Sequence, residues 1–303
     1  MKFSKIELIN LTKLEPETYS ASSINEANNF CKSLATTHYE NFPVGSILIE
    51  KSDRAHFYSV YAFSRIADDI ADEDLGLSSE EKIVLLNDIY NNLIKHINGA
   101  ISTNPVFIAL KSSIEIKNLP PTLFKRLIDA FIADSIFIQP ETWEDVFKYC
   151  SNSANPIGEL VLRITGNYNE KNAELSDNIC TALQLANFWQ DISIDLTRGR
   201  IYIPNFILKK YEISKENLLV KKINANFILC LGEVYSITRE LFYRGENLHN
   251  LLIGFRIKKE IKITWLGGME ILRKTEQLGD SVINLRPKLT KSDYIGILIK
   301  SLF

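Results

Sequence analysis

Glycine and proline are scarce here: 13 and 9 of 303 residues, nearly all scattered, so few breaks interrupt long periodic segments and nothing resembles a linker. The four cysteines, Cys31, Cys150, Cys180 and Cys230, are widely spaced and form no CxxC or Cys/His pattern, which excludes a disulfide framework and a zinc site. They read as reduced core residues of a cytosolic protein. The four histidines, His38, His56, His96 and His249, fit no HExxH motif. There is no GxSxG elbow, no phosphate-cradling P-loop and no GxGxxG, so hydrolase, kinase and nicotinamide chemistry lack support and no NADPH site is evident. The formal net charge is only -2, without the concentrated basic patch that nucleic acid demands, and no nucleic-acid partner is expected. No run approaches the roughly 18 apolar residues of a spanning helix. The N-terminal MKFSKIELINLTKLEPE also lacks the uninterrupted core of a secretory signal, so the mature chain is expected to start near Met1.

What is present is helical periodicity. A hydrophobic fraction of 46% with 24% charged residues is enough for a large core. A short polar helix is expected over Ser23–Lys32, followed by a loop or broken helix from His38 to Glu50, where Pro43 and Gly45 interrupt the pattern. Ser52 is positioned to cap a helix through RAHFYSVYAFSRIADDIADED that Gly76 ends, and Ser78 with Glu81 forms a capping box for the next. Pro120 and Pro121 lead into TLFKRLIDAFIADSIFI, and Pro156 and Gly158 should bend or break ETWEDVFKYCSNSANPIGELVLRITG. A helix from about Ser176 to Leu196 carries Gln184, Asn187, Asp191 and Asp195 as one polar stripe. Gly199 and Pro204 close that region, and two further helices span Asn224–His249 and Arg256–Leu278.

Two aspartate pairs carry the chemistry. Asp68/Asp72 and Asp191/Asp195 each repeat at a four-residue interval inside apolar stretches. On a helix such like charges share one face and repel by about 0.2–0.5 kcal/mol even when hydrated. A cation between them removes the conflict, and two facing carboxylate clusters suit Mg²⁺, a hard ion commonly shared with a phosphate group. The substrate is therefore expected to carry a diphosphate. Asp68, Asp69, Asp72, Glu73 and Asp74 also lie at a helix C-terminus, where the macrodipole opposes acids, so something positive must compensate. Arg65, one turn back, is a candidate, and Arg65 and Arg200 can add charge-assisted hydrogen bonds to phosphate. Asp69 is rotated by about a hundred degrees from Asp68 and is the less central ligand. A departing diphosphate leaves a carbocation, which the faces of Tyr58, Tyr61, Phe63, Phe188, Trp189 and Tyr202 can stabilise, although any one of them also reads as core packing.

At these residues the chain closely resembles the squalene and phytoene synthase family. The resemblance runs from about Asn25 to Tyr294 and rests on YAFSRIADDIADE, the NPIG turn, QLANFWQDISIDLTRGRIYIP and RPKLTKSDY. It implies a single-domain, all-α isoprenoid synthase bundle around a central apolar cavity. It also implies that Asp68, Asp72, Asp191 and Asp195 bind two or three Mg²⁺ ions with the diphosphate. Gln184 and Asn187 match the polar positions before the second motif, with Asn187 completing the second metal cluster, and Arg65 matches a diphosphate-contacting arginine. HYENFPVGS, YCSNSANPIG and NFWQDISID look like the bacterial hydroxysqualene synthase branch, which acts on presqualene diphosphate with water in the route toward hopanoids. Coupling enzymes of the family typically have a serine-rich phosphate-contacting segment where this chain has His38, Tyr39, Glu40, Asn41 and Phe42. Glu40 there would repel a second diphosphate. His38 is a substrate-binding candidate, and Asn41 is a candidate for orienting water, tested by the hydroxysqualene yield of an Asn41→Ala enzyme.

The alternatives are a head-to-head coupling enzyme making presqualene diphosphate, squalene or phytoene, and a non-catalytic helical scaffold that binds prenyl diphosphates or associates with sibling pathway enzymes. Consumption of farnesyl diphosphate alone marks the first, and Mg²⁺-dependent diphosphate release excludes the second. A cytoplasmic protein is expected, with peripheral contact at the inner membrane surface through LHNLLIGF or YIGILIKSLF as a further candidate, core packing being the simpler reading of both segments.

Overall fold

The protein is described from a computed structural model covering residues 3–37 and 48–302. All regular structure among the described residues is helical, as the composition and periodicity require. The chain divides into two compact units, one of Met1–Phe137 with Glu159–Tyr168, the other of Ile138–Gly158 with Asn169–Phe303.

The first unit contains α1 (Lys5–Leu11), α2 (Ile24–Thr37), α3 (Arg54–Asp72), α4 (Ser79–Ile97), α5 (Pro105–Lys117) and α6 (Pro121–Ser135). Its centre is α3, which packs against α2, α4, α5 and α6. Phe63, Ile66, Ala67 and Ile70 are fully buried, with Phe63 edge-on to Phe124 at 5.4 Å between ring centroids. Aromatic pairs in this geometry stabilise beyond the area they bury, by about 0.5–1.5 kcal/mol. The start of α3 differs from expectation. Asp53, not Ser52, occupies the cap position and makes no side-chain cap bond; its carboxylate is instead held by Lys117 Nζ at 2.7 Å. A tertiary ion pair has displaced the local cap. The expected capping box at Ser78 and Glu81 is present, with both hydrogen bonds formed.

The second unit contains α7 (Trp143–Ser153), the start of α8 (Asn155–Ile164), α9 (Glu170–Gln190), α10 (Ile192–Asp195), α11 (Asn205–Lys210), α12 (Lys215–Leu219), α13 (Asn226–Gly245), α14 (Leu248–Leu251), α15 (Phe255–Leu278) and α16 (Lys291–Leu302). The break between α7 and α8 falls at Ala154, so Pro156 lies in the first turn of the new helix, where its missing N–H costs nothing. The principal pair is α9 with α13, and α15 packs on both. Close approach depends on Gly245: a Cβ there would lie 2.4 Å from Ile179 Cγ1 and 2.8 Å from the Leu175 carbonyl oxygen. Trp189 is fully buried and donates from Nε1 to Thr238 Oγ1 at 2.8 Å, fixing the register of α9 on α13. All four cysteines are free. Cys31, Cys150 and Cys230 are buried, Cys180 is half-buried, and burial pushes each thiol up to about 12.

Candidate active site

Each unit carries one of the acidic motifs. On α3, Arg65, Asp68, Asp69 and Asp72 fall within two turns. Asp69 is 4% exposed and receives Arg65 Nη2 at 2.6 Å, while Arg65 Nη1 lies 3.7 Å from Asp68 Oδ2. Arg65 Nε is buried without a hydrogen-bond acceptor among the described residues. A buried donor of that kind costs about 1–3 kcal/mol unless water or a ligand satisfies it, and a phosphate oxygen suits a guanidinium. Asp68 behaves differently from Asp69. Its carboxyl is pushed up to about 6, first by its recessed position and next by the charge of Asp72, with Arg65 opposing. The side chain is still 46% exposed, so solvent screens this coupling and a cation has access to it. Tyr61, one turn earlier, is also raised, chiefly by burial, and Tyr58 is buried.

The compensating charge at the end of α3 comes from a residue the motif does not contain. The helix stops at Asp72, four residues before Gly76, and Lys82 of α4 donates Nζ to the carbonyls of Ala71 at 2.7 Å and Glu73 at 3.1 Å. Lys5 of α1 reaches the Gly76 carbonyl at 3.3 Å. Two ammonium groups thus hold the acid-rich turn at its backbone and offset the macrodipole there. Only the early acids in the sequence signal the need for such a residue; which lysine answers is decided by the packing of α4.

The second motif is not one continuous helix. It begins six residues earlier than expected, where Asn169 Oδ1 accepts from the Asn172 N–H at 2.9 Å, and α9 ends with Asp191 at its C-cap. The turn is re-formed directly, because Asp191 N bonds the Asn187 carbonyl and Asp195 N bonds that of Asp191, both at 2.9 Å. Asp191 and Asp195 therefore remain one turn apart. The stripe is also less buried than its apolar flanks imply: Asn187 is exposed, and Gln184, Asp191 and Asp195 are half-buried. Arg286, from the loop before α16, clasps the Asp191 carboxylate through Nε to Oδ1 and Nη2 to Oδ2, the latter at 3.3 Å. This partner lies 95 residues away and no local spacing announces it.

Phe188 and Tyr202 stack at 3.8 Å with an 8° interplanar angle, and Tyr149 tilts against both. Phe188, Asp195, Arg200 and Tyr202 line one pocket of about 10 Å³. That is room for about one water molecule, so this pocket within the second unit does not hold a prenyl chain. Arg200 N donates to the Asp195 carbonyl at 2.9 Å, tying the loop to the motif. His38 and Asn41 lie outside the described residues.

Among the described residues, no three His, Cys, Asp or Glu side chains already converge on a common point that a metal would occupy. The donor set nonetheless suits Mg²⁺, which is usually held by one or two carboxylates together with substrate phosphates and water rather than by an all-protein cage. The half-exposed Asp68 with Asp72 at its side is such a partial set.

The squalene/phytoene synthase family description matches residues 35–293. The chain belongs to this family. Its members and structural neighbours are isoprenoid synthases, and the all-helical fold expected from the resemblance is the one observed. The hydroxysqualene synthase of Sinorhizobium fredii (strain NBRC 101917 / NGR234) is 31% identical over 225 residues, covering 74% of this chain and 75% of that protein. The phytoene synthase of Mycobacterium tuberculosis (strain ATCC 25618 / H37Rv) is also 31% identical, over 183 residues that cover 60% of this chain and 59% of its own. Among solved structures, the squalene synthase HpnC of Alicyclobacillus acidocaldarius superposes with a TM-score of 0.78 at 36% identity, over 84% of this chain and 95% of that one. A dehydrosqualene synthase reaches a TM-score of 0.80 at 19% identity, covering 92% of this chain and 96% of that one, a likeness of fold.

Proposed function

We propose that this family member is a Mg²⁺-dependent hydroxysqualene synthase, converting presqualene diphosphate and water to hydroxysqualene and diphosphate. The observation that carries the reading is the Asp68/Asp72 pair, whose mutual repulsion helps hold the Asp68 carboxyl near 6, beside an arginine with an unused buried N–H. Such a set attracts a divalent cation and an anion together. The similarity to the Sinorhizobium fredii hydroxysqualene synthase, 31% identical over 74% of this chain, supports that branch.

In this reading Asp68 and Asp72, with Asp191 and Asp195, are the carboxylates for Mg²⁺, and Asn187 and Gln184 complete the second set. Asp69 orients Arg65. When bound, Mg²⁺ neutralises the diphosphate oxygens and so makes diphosphate a better leaving group. Arg65 and Arg200 are the candidates for hydrogen bonds to diphosphate. The carbon–oxygen ester bond breaks with its electron pair leaving on diphosphate. The cyclopropylcarbinyl cation that remains rearranges beside the faces of Tyr58 and Tyr61, while Phe188 and Tyr202, stacked on one another, pack the second motif. Water oxygen then bonds to the cation and the proton passes to solvent or to the released diphosphate; Asn41 is the candidate for orienting that water and His38 a candidate for binding substrate.

The test is incubation of the purified protein with presqualene diphosphate and Mg²⁺, with and without NADPH, followed by product identification. Hydroxysqualene formed equally in both arms is expected. Squalene formed only with NADPH, or consumption of farnesyl diphosphate supplied alone, would assign the chain to the coupling enzymes instead.

A further inference from the structure

The C-terminal helix α16 turns an apolar face outward. Tyr294, Ile295, Leu298, Ile299 and Leu302 are each more than half exposed, and their spacing places them on one side of the helix, while Ile297 and Ser301 face inward. Beside it, the turn into α15 exposes Ile253 at 81% and Phe255 at 73%, although Leu248 and Leu252 of the same segment are buried. Core packing therefore accounts for only part of each segment. Exposed apolar side chains grouped in this way mark interaction surfaces.

The two ridges form one surface. Lys259 Nζ donates to the Ser301 carbonyl and lies 5.7 Å from the Phe255 ring centroid, joining the start of α15 to the end of α16. At the opposite end Lys274 Nζ pairs with Asp293 Oδ2 at 2.6 Å, so the helices run antiparallel. Cations lie along both helices beside the apolar residues: Arg256, Lys258, Lys259 and Lys262 on α15 and Lys291 on α16, whereas Lys300 falls on the other side of α16. The acids at these helix ends are withdrawn, Glu260 by burial and Asp293 by Lys274. In a chain whose net charge is -2, positive charge is concentrated at this place.

We propose that this face docks on an anionic lipid bilayer, with the apolar side chains entering the interface and the lysines meeting headgroup phosphates. A second copy is the poorer occupant. Two-fold pairing sets the same patch against itself, bringing five cations against five. The attachment is peripheral, because no helix among the described residues is long and apolar enough to cross a membrane. The proposal does not depend on the reaction assigned above.

Sedimentation of the full chain with vesicles tests it. The protein should pellet with phosphatidylglycerol/phosphatidylcholine vesicles and stay in solution with phosphatidylcholine alone, and raising the salt from about 0.1 to about 0.5 M should weaken binding at least about tenfold. The variants Leu298→Glu/Ile299→Glu and Lys291→Glu alter exposed positions only, and their melting temperatures should match the parent. Each should lose at least about tenfold in vesicle binding. The proposal is overturned if the folded parent ignores anionic vesicles, or if either folded variant binds as the parent does. It is also overturned if sedimentation equilibrium shows a dimer that Leu298→Glu/Ile299→Glu dissociates, which would assign the ridge to self-association.

Discussion

The two aspartate motifs look alike in sequence and are built differently. On α3 the acids belong to an unbroken helix whose end is secured from below by Lys82, so the carboxylates are positioned by backbone support while Asp68 and Asp72 stay close and repel. In the second unit the helix breaks at Asp191, and that carboxylate is gripped directly by Arg286. In the first motif Arg65 sits on Asp69 and leaves Asp68 and Asp72 in conflict; in the second, Arg286 is seated on a carboxylate of the DxxxD pair itself. The lesson is that a repeated DxxxD spacing specifies where carboxylates stand, while their partners are supplied by other elements of each unit.

The largest expected effect tests whether both motifs serve the same reaction. Asp72→Asn and Asp191→Asn should each lower kcat/KM for diphosphate release by at least about 10²-fold, as expected when charge stabilisation in a transition state is removed. If either variant kept activity within a few-fold of the parent, that motif would be placed outside the chemistry. Removing the arginines separates a buried partner from an exposed one. Arg65→Ala leaves Asp69 buried without its guanidinium and should destabilise the protein by about 3 kcal/mol, whereas Arg286→Ala acts on a half-exposed pair and should cost no more than about 1 kcal/mol. Urea unfolding would show the contrast, and equal losses would erase it. A smaller effect is expected at the helix end. Lys82→Met should cost about 1–2 kcal/mol through the two orphaned carbonyls, and Lys82→Arg should recover part of it in the same unfolding series.

The smallest effect concerns pH. Asp68 is raised to about 6 from the ordinary carboxylate value of 3.8, so between about pH 4 and 6 the folded chain holds a proton that the unfolded chain releases. Its contribution to metal-free stability is therefore full below about 4 and is lost as the pH rises through about 6. Melting temperatures of the metal-free protein between those limits should decline more steeply for the parent than for Asp68→Asn. Parallel curves would show that Asp68 has no raised value.

Much of this was legible in the residues. The spacing of Tyr58, Tyr61, Arg65, Asp68 and Asp72 defines one helical face, and Ser78 with Glu81 marks the next helix start, because both signals are local. What escaped the sequence is tertiary. Asp53 takes the cap position expected of Ser52 and gives its carboxylate to Lys117, and Arg286 meets Asp191 across 95 residues. The break at Asp191 has no glycine or proline to announce it, since QDISID contains neither. Exposure of Asn187 was equally hidden, because apolar neighbours at i±1 lie on other faces of a helix and do not fix the burial of the residue between them.

The inward-facing thiols have a practical consequence for watching this molecule at work. With every native sulfhydryl pushed up to about 12, hardly any thiolate exists at neutral pH to react with a maleimide. A single cysteine introduced at Asp74, beside the acid-rich turn, would then take a fluorophore alone, and its emission would follow ligand arrival without first stripping the wild-type chain of its own sulfur.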